Sequence, residues 1–167
     1  MRRLLAALLF LLAASAAFAK QPTTVILVRH AEKAAMKGDM PLSEAGKARA
    51  QELARVLADV HLDAIFVTPY ERTRQTAAPI AKAAGLTPVE LAADADYAKT
   101  IAAKVAEHAG GTLLVVGHSN TTPDVIRQLG IADAPSIAET QFDDLFIVTV
   151  TDGAAKLIRL RYGAAAR

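Results

Sequence analysis

Apolar and polar positions along this chain follow two rhythms. Strand-length stretches dominated by apolar, often β-branched residues occur at residues 25–28, at 63–67 after a leading Asp63, and at 112–116 after a leading Thr112. Between them the apolar positions return every three or four residues. After Ser43, a good N-cap, Gly46, Ala50, Leu53, Leu57 and Val60 mark one face of a helix. After the second run, Thr68 and Pro69 offer a cap and a first helical position, and Thr73, Ala77, Ile80 and Ala84 give the inward face of a helix stopped by Gly85. A brief extended piece at 87–91 and a helix over 97–109 follow, and Gly110-Gly111 breaks the pattern. The third run leads into a short helix opened by Thr121, Thr122 and Pro123, with Asn120 available as its cap. Residues 133–141 read as loop. Strands at 145–151 and 155–160 around Asp152-Gly153 predict a terminal hairpin, the antiparallel part of an otherwise parallel sheet. The expected fold is α/β: a three-layer sandwich with a mostly parallel central sheet, helices on both faces and an antiparallel terminal strand.

The first residues break both rhythms. Arg2 and Arg3 precede an apolar run from Leu4, and Ala17-Phe18-Ala19 precedes Lys20, which is the pattern of a secretory leader with its cleavage site. The expected organisation is a leader at 1–19 and a single domain at 20–167, exported to the periplasm or beyond, with no stable membrane insertion once the leader is cut. Loss of Arg2 and Arg3 takes the formal charge from +2 to zero, so the pI of about 9.0 overstates the basicity of the mature chain. No basic excess or stripe suggests a nucleic-acid partner. The absence of cysteine excludes disulfides and thiolate metal sites.

Chemistry collects at the strand ends. Residues 25–33 read VILVRHAEK, so Arg29 and His30 sit where the first strand stops. Arg72 follows the second strand in the first turn of a helix, and His118 follows the third after Gly117. In a parallel sheet these carboxyl ends share one rim, where ligands bind. Two guanidiniums are permanent fork-shaped donors, and a neutral imidazole beside them is a nucleophile or proton carrier. Together they suit a tetrahedral dianion. Arg74 lies about 200° round the helix from Arg72 and should face solvent. His61 and His108 read as surface residues.

VRHAEK, TPYERTRQTA and VVGHSNT, with PLSEAGKARA between the first two, resemble the signature segments of the histidine phosphatase superfamily, in the branch similar to cofactor-dependent phosphoglycerate mutase and small phosphohistidine phosphatases. The resemblance implies that His30 is the nucleophile, that Arg29 and Arg72 hold the phosphoryl oxygens, and that His118 completes the pocket, with no metal and no cofactor. It implies a phosphatase of phosphomonoesters working through a phosphohistidine, on a phosphorylated small molecule or envelope component. A phosphate-binding pseudoenzyme and a phosphosugar mutase-like protein are the alternatives. One departure matters. Relatives carry a glutamate as general acid between the strand and helix here spanned by 91–97, or an aspartate directly after the second histidine, where this chain has Ser119. Asp96, Asp94 and Glu32, in that order, are the candidate acids; Glu32 is also a natural partner for Lys33, Lys37 or an arginine.

Overall fold

A computed structural model describes residues 21–35 and 37–165. The leader expected at 1–19 lies outside them. Along the chain run β1 (Thr23–Arg29), α1 (Glu44–Val56), β2 (Ala64–Val67), α2 (Glu71–Ala84), β3 (Val89–Glu90), α3 (Tyr97–Glu107), β4 (Thr112–Gly117), α4 (Thr121–Gln128), β5 (Asp144–Thr151) and β6 (Ala154–Arg161). The strands form one sheet in the order β3-β2-β4-β1-β5-β6. The pairs β3-β2, β2-β4 and β4-β1 are parallel, whereas β1-β5 and β5-β6 are antiparallel. This is the expected α/β sandwich.

The apolar runs are unbroken because both faces of the central strands are covered. Val25 and Leu27 of β1 and Leu113 and Val115 of β4 join Tyr97, Ile101, Val105, Val125 and Ile126 from α3 and α4. Their neighbours Ile26, Val28, Leu114 and Val116 face the other way, onto Leu53, Ala77 and Ile80 from α1 and α2. Burying such a side chain stabilises by about 1.5–3 kcal/mol, so the two cores fix β1 and β4 firmly beneath the rim. Among the described residues no helix is long and apolar enough to cross a membrane.

Local chemistry sets the helix ends, not always as the sequence predicts. Ser43 caps α1 by accepting from the Gly46 amide at 3.1 Å. Val60 lies beyond the end of α1 and is exposed, because that helix stops at Val56. Gly85 ends α2 with φ 67°, the left-handed geometry glycine tolerates. Ala84 faces solvent, and Thr76 and Ala81 take up the inner face with Thr73, Ala77 and Ile80. Neither Thr68 nor Pro69 opens α2; Tyr70 stands at its N-cap, and Thr68 turns inward instead. Asn120 likewise makes no side-chain cap to α4. The Thr121 hydroxyl accepts from the His118 amide at 3.0 Å, tightening the β4-α4 turn from within.

Candidate active site

Sheet register brings the strand ends level. Arg29 lies opposite Gly117, and Val67 opposite Val116, so Arg29, Thr68 and His118 come to one edge. The antiparallel strand β5 starts at that same edge, with Leu145 opposite Val28. The loop before β5 is thereby laid over the tip of β1. A cavity of about 300 Å3 results, lined by Arg29, His30, Arg72 and His118 together with Lys33, Tyr70, Ser119 and Glu139.

His30 is 4% exposed, and its Nδ1 lies 2.8 Å from the Ala31 carbonyl oxygen. A carbonyl only accepts, so the proton sits on Nδ1 and the Nε2 lone pair is left available. The backbone around this ring is pinned. The Ala31 amide donates to Thr76 Oγ1 at 2.9 Å, and the Ser43 amide to the Glu32 carbonyl at 2.9 Å. Burial, more than the neighbouring charges, pushes the His30 pKa down to about 3; the Ala31 hydrogen bond opposes this, and Arg29, His118 and Arg72 add like-charge repulsion. The ring is neutral at any ordinary pH.

His118 is held at both nitrogens. Arg72 Nη2 donates toward Nδ1 at 3.4 Å, which leaves the proton on Nε2, 3.0 Å from Thr68 Oγ1. Thr68 in turn meets Thr73 Oγ1 at 3.0 Å, and Thr73 donates to the Thr68 carbonyl at 2.7 Å. Burial again, then Arg72 and Arg29, lowers the His118 pKa to about 4. The two imidazoles stand edge to face, with centroids 5.4 Å apart.

Each guanidinium has an aromatic floor. Arg29 lies 4.2 Å over Phe142 and Arg72 4.2 Å over Tyr70, contacts that orient a charged fork without spending its hydrogen bonds. Arg29 is also a structural tie. Its Nη1 donates to the carbonyls of Ala138, Glu139 and Gln141 at 2.8, 2.8 and 3.1 Å, and its Nη2 meets Glu139 Oε2 at 2.9 Å. The Nε atoms of both Arg29 and Arg72 are buried without a partner. Asp39, from the loop after β1, accepts from the Glu71 amide at 2.9 Å and meets Arg72 at 3.5 Å, steadying the first turn of α2.

The three carboxylates nominated from the sequence lie elsewhere. Glu32 is clasped by Arg49, Asp96 pairs with Lys99 at 2.9 Å, and Asp94 accepts from the Asp96 amide at 3.0 Å. None lines the cavity. Glu32 is drawn off because α1 carries Arg49 past its side chain; Asp94 and Asp96 belong to the solvated lead-in of α3. Asp94 does face a larger groove, of about 680 Å3, that shares Ala93, Asn120 and Thr121 with the pocket. Arg74 points outward, paired with Glu71 and Glu90. His61 is exposed; His108 is half-buried, its ring edge-on to Phe66. Among the described residues no His/Asp/Glu grouping is disposed to hold a metal ion.

The fold is phosphoglycerate mutase-like, and residues 25–96 match the model of the histidine phosphatase superfamily (branch 1). That segment carries Arg29, His30 and Arg72. Phosphoserine phosphatase 1 of Hydrogenobacter thermophilus is 45% identical to this chain over 69 residues, which are 37% of the chain and 33% of that protein; the similarity thus spans about a third of the relative's length. The fold is similar to that of the protein histidine phosphatase SixA in complex with tungstate, at TM-score 0.69 and 20% identity over 83% of this chain and 96% of that one. It is similar also to phosphoglycerate mutase from Bacillus anthracis, at TM-score 0.67 and 15% identity over 84% and 93% of the two chains.

Proposed function

We propose that this protein is a phosphatase that hydrolyses phosphomonoesters through a phosphohistidine on His30. The observation that carries this reading is the state of that ring: neutral, with its proton on Nδ1 toward the Ala31 carbonyl and Nε2 left free, in a pocket walled by two guanidiniums with unpaired buried donors. A phosphoryl group entering the pocket meets the guanidiniums of Arg29 and Arg72. Nε2 of His30 then attacks phosphorus in line with the departing oxygen. The arginines hold the equatorial oxygens throughout, which is where most catalysis of phosphoryl transfer lies. His118, neutral and fixed by Thr68, keeps Arg72 aimed into the pocket. Water attacks the phosphohistidine in the second step and releases phosphate. The rest of the substrate has room along the polar groove past Ala93 and Asn120.

The test is a turnover screen of residues 20–167 against phosphomonoesters, with and without chelator, run beside His30→Ala. Turnover that survives chelation, vanishes in the variant and leaves trapped phosphate on His30 supports the reading. Substantial turnover by His30→Ala sinks it, and phosphate binding without turnover by the wild type favours the binding-protein alternative. We also infer export, supported by the leader pattern at 1–19, with a phosphorylated small molecule or envelope component as substrate. N-terminal sequencing from the native host decides this; a terminus at Lys20 is expected, and an intact Met1 overturns it.

A further inference from the structure

Among the described residues, Glu139 is the carboxylate that lines the cavity. Asp39, the other acid near the guanidiniums, is engaged with the first amide of α2 and does not line it. We propose that Glu139 is the proton-transfer residue of this site: it protonates the leaving oxygen as His30 takes the phosphoryl group, and it accepts a proton from the water that cleaves the phosphohistidine. The proposal rests on the phosphatase reading above.

Its placement has the two properties such a residue needs. The backbone is fixed, because Arg29 Nη1 holds the carbonyls on either side of Glu139 as well as its own. The carboxylate itself is 77% exposed and tethered only by side chains, Arg29 Nη2 at 2.9 Å and the Ser119 hydroxyl at 2.7 Å. It therefore stands at the mouth of the pocket, free to swing while its anchor stays put. Ser119 occupies the position after the second histidine where the sequence lacks an acid, and its hydroxyl reaches an acid supplied by another loop.

Proton supply is consistent with the charges that face this group. In the empty site the Ser119 hydrogen bond, then Arg29 and Lys33, hold the Glu139 carboxyl below the usual range, so it is ionised. A bound phosphoryl group takes a share of the charge of Arg29 and adds negative charge of its own, which raises the carboxyl's affinity for a proton. A phosphate monoester, with its second pKa near ~6, brings that proton as the monoanion. In the first step the N–P bond to His30 Nε2 forms, the P–O bond breaks, and the proton passes from Glu139 to the departing oxygen, giving the alcohol. In the second, water oxygen bonds to phosphorus, the N–P electron pair returns to Nε2, and the water proton passes to Glu139. The Nδ1 proton of His30 stays on the Ala31 carbonyl side throughout. Ester and water become alcohol and phosphate.

Glu139→Gln keeps an accepting oxygen for Arg29 and turns an amide N–H toward the Ser119 hydroxyl, which can accept it, but carries no transferable proton. The experiment compares wild type and variant on nitrophenyl phosphate, whose leaving group departs unaided, and on glycerol phosphate, whose leaving group does not. Loss of kcat/KM by roughly 100-fold or more on glycerol phosphate, against less than about tenfold on nitrophenyl phosphate, is expected for loss of a general acid. The variant should also show a burst of nitrophenolate as phosphohistidine accumulates for want of the base. Equal losses on both esters, or no loss on either, overturn the role of Glu139. A wild type that turns over neither ester overturns the phosphatase reading and this one together, whereas one that turns over both beside an indistinguishable variant overturns this one alone.

Discussion

Arg49 closes on both carboxylate oxygens of Glu32, with Nε at 3.0 Å from each and Nη2 at 2.8 Å from Oε1. The same guanidinium donates to the carbonyls of Tyr162 and Ala164, so one buried side chain on α1 joins the exit of β1 to the end of the chain. Glu32→Ala leaves Arg49, whose side chain is 3% exposed, charged and short of its partner. Removing one partner of a buried pair costs about 3–5 kcal/mol, and urea unfolding should read a loss of about that size. Because Glu32 faces away from the cavity, the ratio of rates on alkyl and aryl phosphates should not move.

Both pocket histidines should remain neutral across the working range. With folded pKa values of about 3 for His30 and about 4 for His118, against about 6.5 for an unperturbed histidine, the unfolded chain binds more protons than the folded one between these limits. Their contribution is complete above about pH 6.5 and is lost as pH falls toward 4 and then 3. Imidazole 15N signals of His30 and His118 should stay unchanged from pH 8 to pH 5. The urea midpoint should also fall less steeply on acidification in His30→Ala than in wild type. A titration of either ring near 6.5 would contradict the buried geometry.

Arg72→Lys should be severe. An ammonium cannot lie flat over Tyr70, donate to His118 and hold a phosphoryl oxygen at once, as the fork of Arg72 is placed to do. A loss of about 2–4 kcal/mol in transition-state stabilisation is expected, the scale for removing a preorganised donor. It is read as kcat/KM on nitrophenyl phosphate.

Gly46→Ala reverses an ordinary rule. In an exposed helix this change gains up to about 1 kcal/mol, but here the new Cβ would stand 2.2 Å from the Glu32 carbonyl oxygen. Either α1 or the segment after His30 must shift. Overpacking of this kind costs about 1–3 kcal/mol, and the denaturation midpoint should drop, with kcat/KM falling in parallel because that same segment carries His30.

The sequence disclosed elements whose cause is local and missed groups whose cause is register. Strands, the Ser43 cap, the Gly85 stop and the terminal hairpin follow from neighbouring residues, and Arg29, His30, Arg72 and His118 follow from their places just past apolar runs. Glu139 carries no such mark. It sits in an irregular stretch distant in sequence from Arg29, and reaches it because β5 runs antiparallel beside β1 and begins at the rim. Asp39 carries no mark either, for a related reason: the amide it accepts from belongs to another element. A partial signal for Glu32 was present, since an arginine partner was expected for it, but α1 had to be built to show that Arg49 was the one. The arginines near His30 are visible in the sequence, but burial, the larger cause of its low pKa, is visible only in the fold.

The position of β1 in the sheet also sets an order of assembly. Its two neighbours, β4 and β5, are drawn from residues 112–117 and 144–151, so the strand made first is flanked by strands made late. Such pairings close long loops and form slowly. Until β5 pairs with β1, nothing lays the loop that carries the partners of Arg29 over the tip of β1. The wall of the pocket therefore depends on a pairing between segments that are distant in sequence.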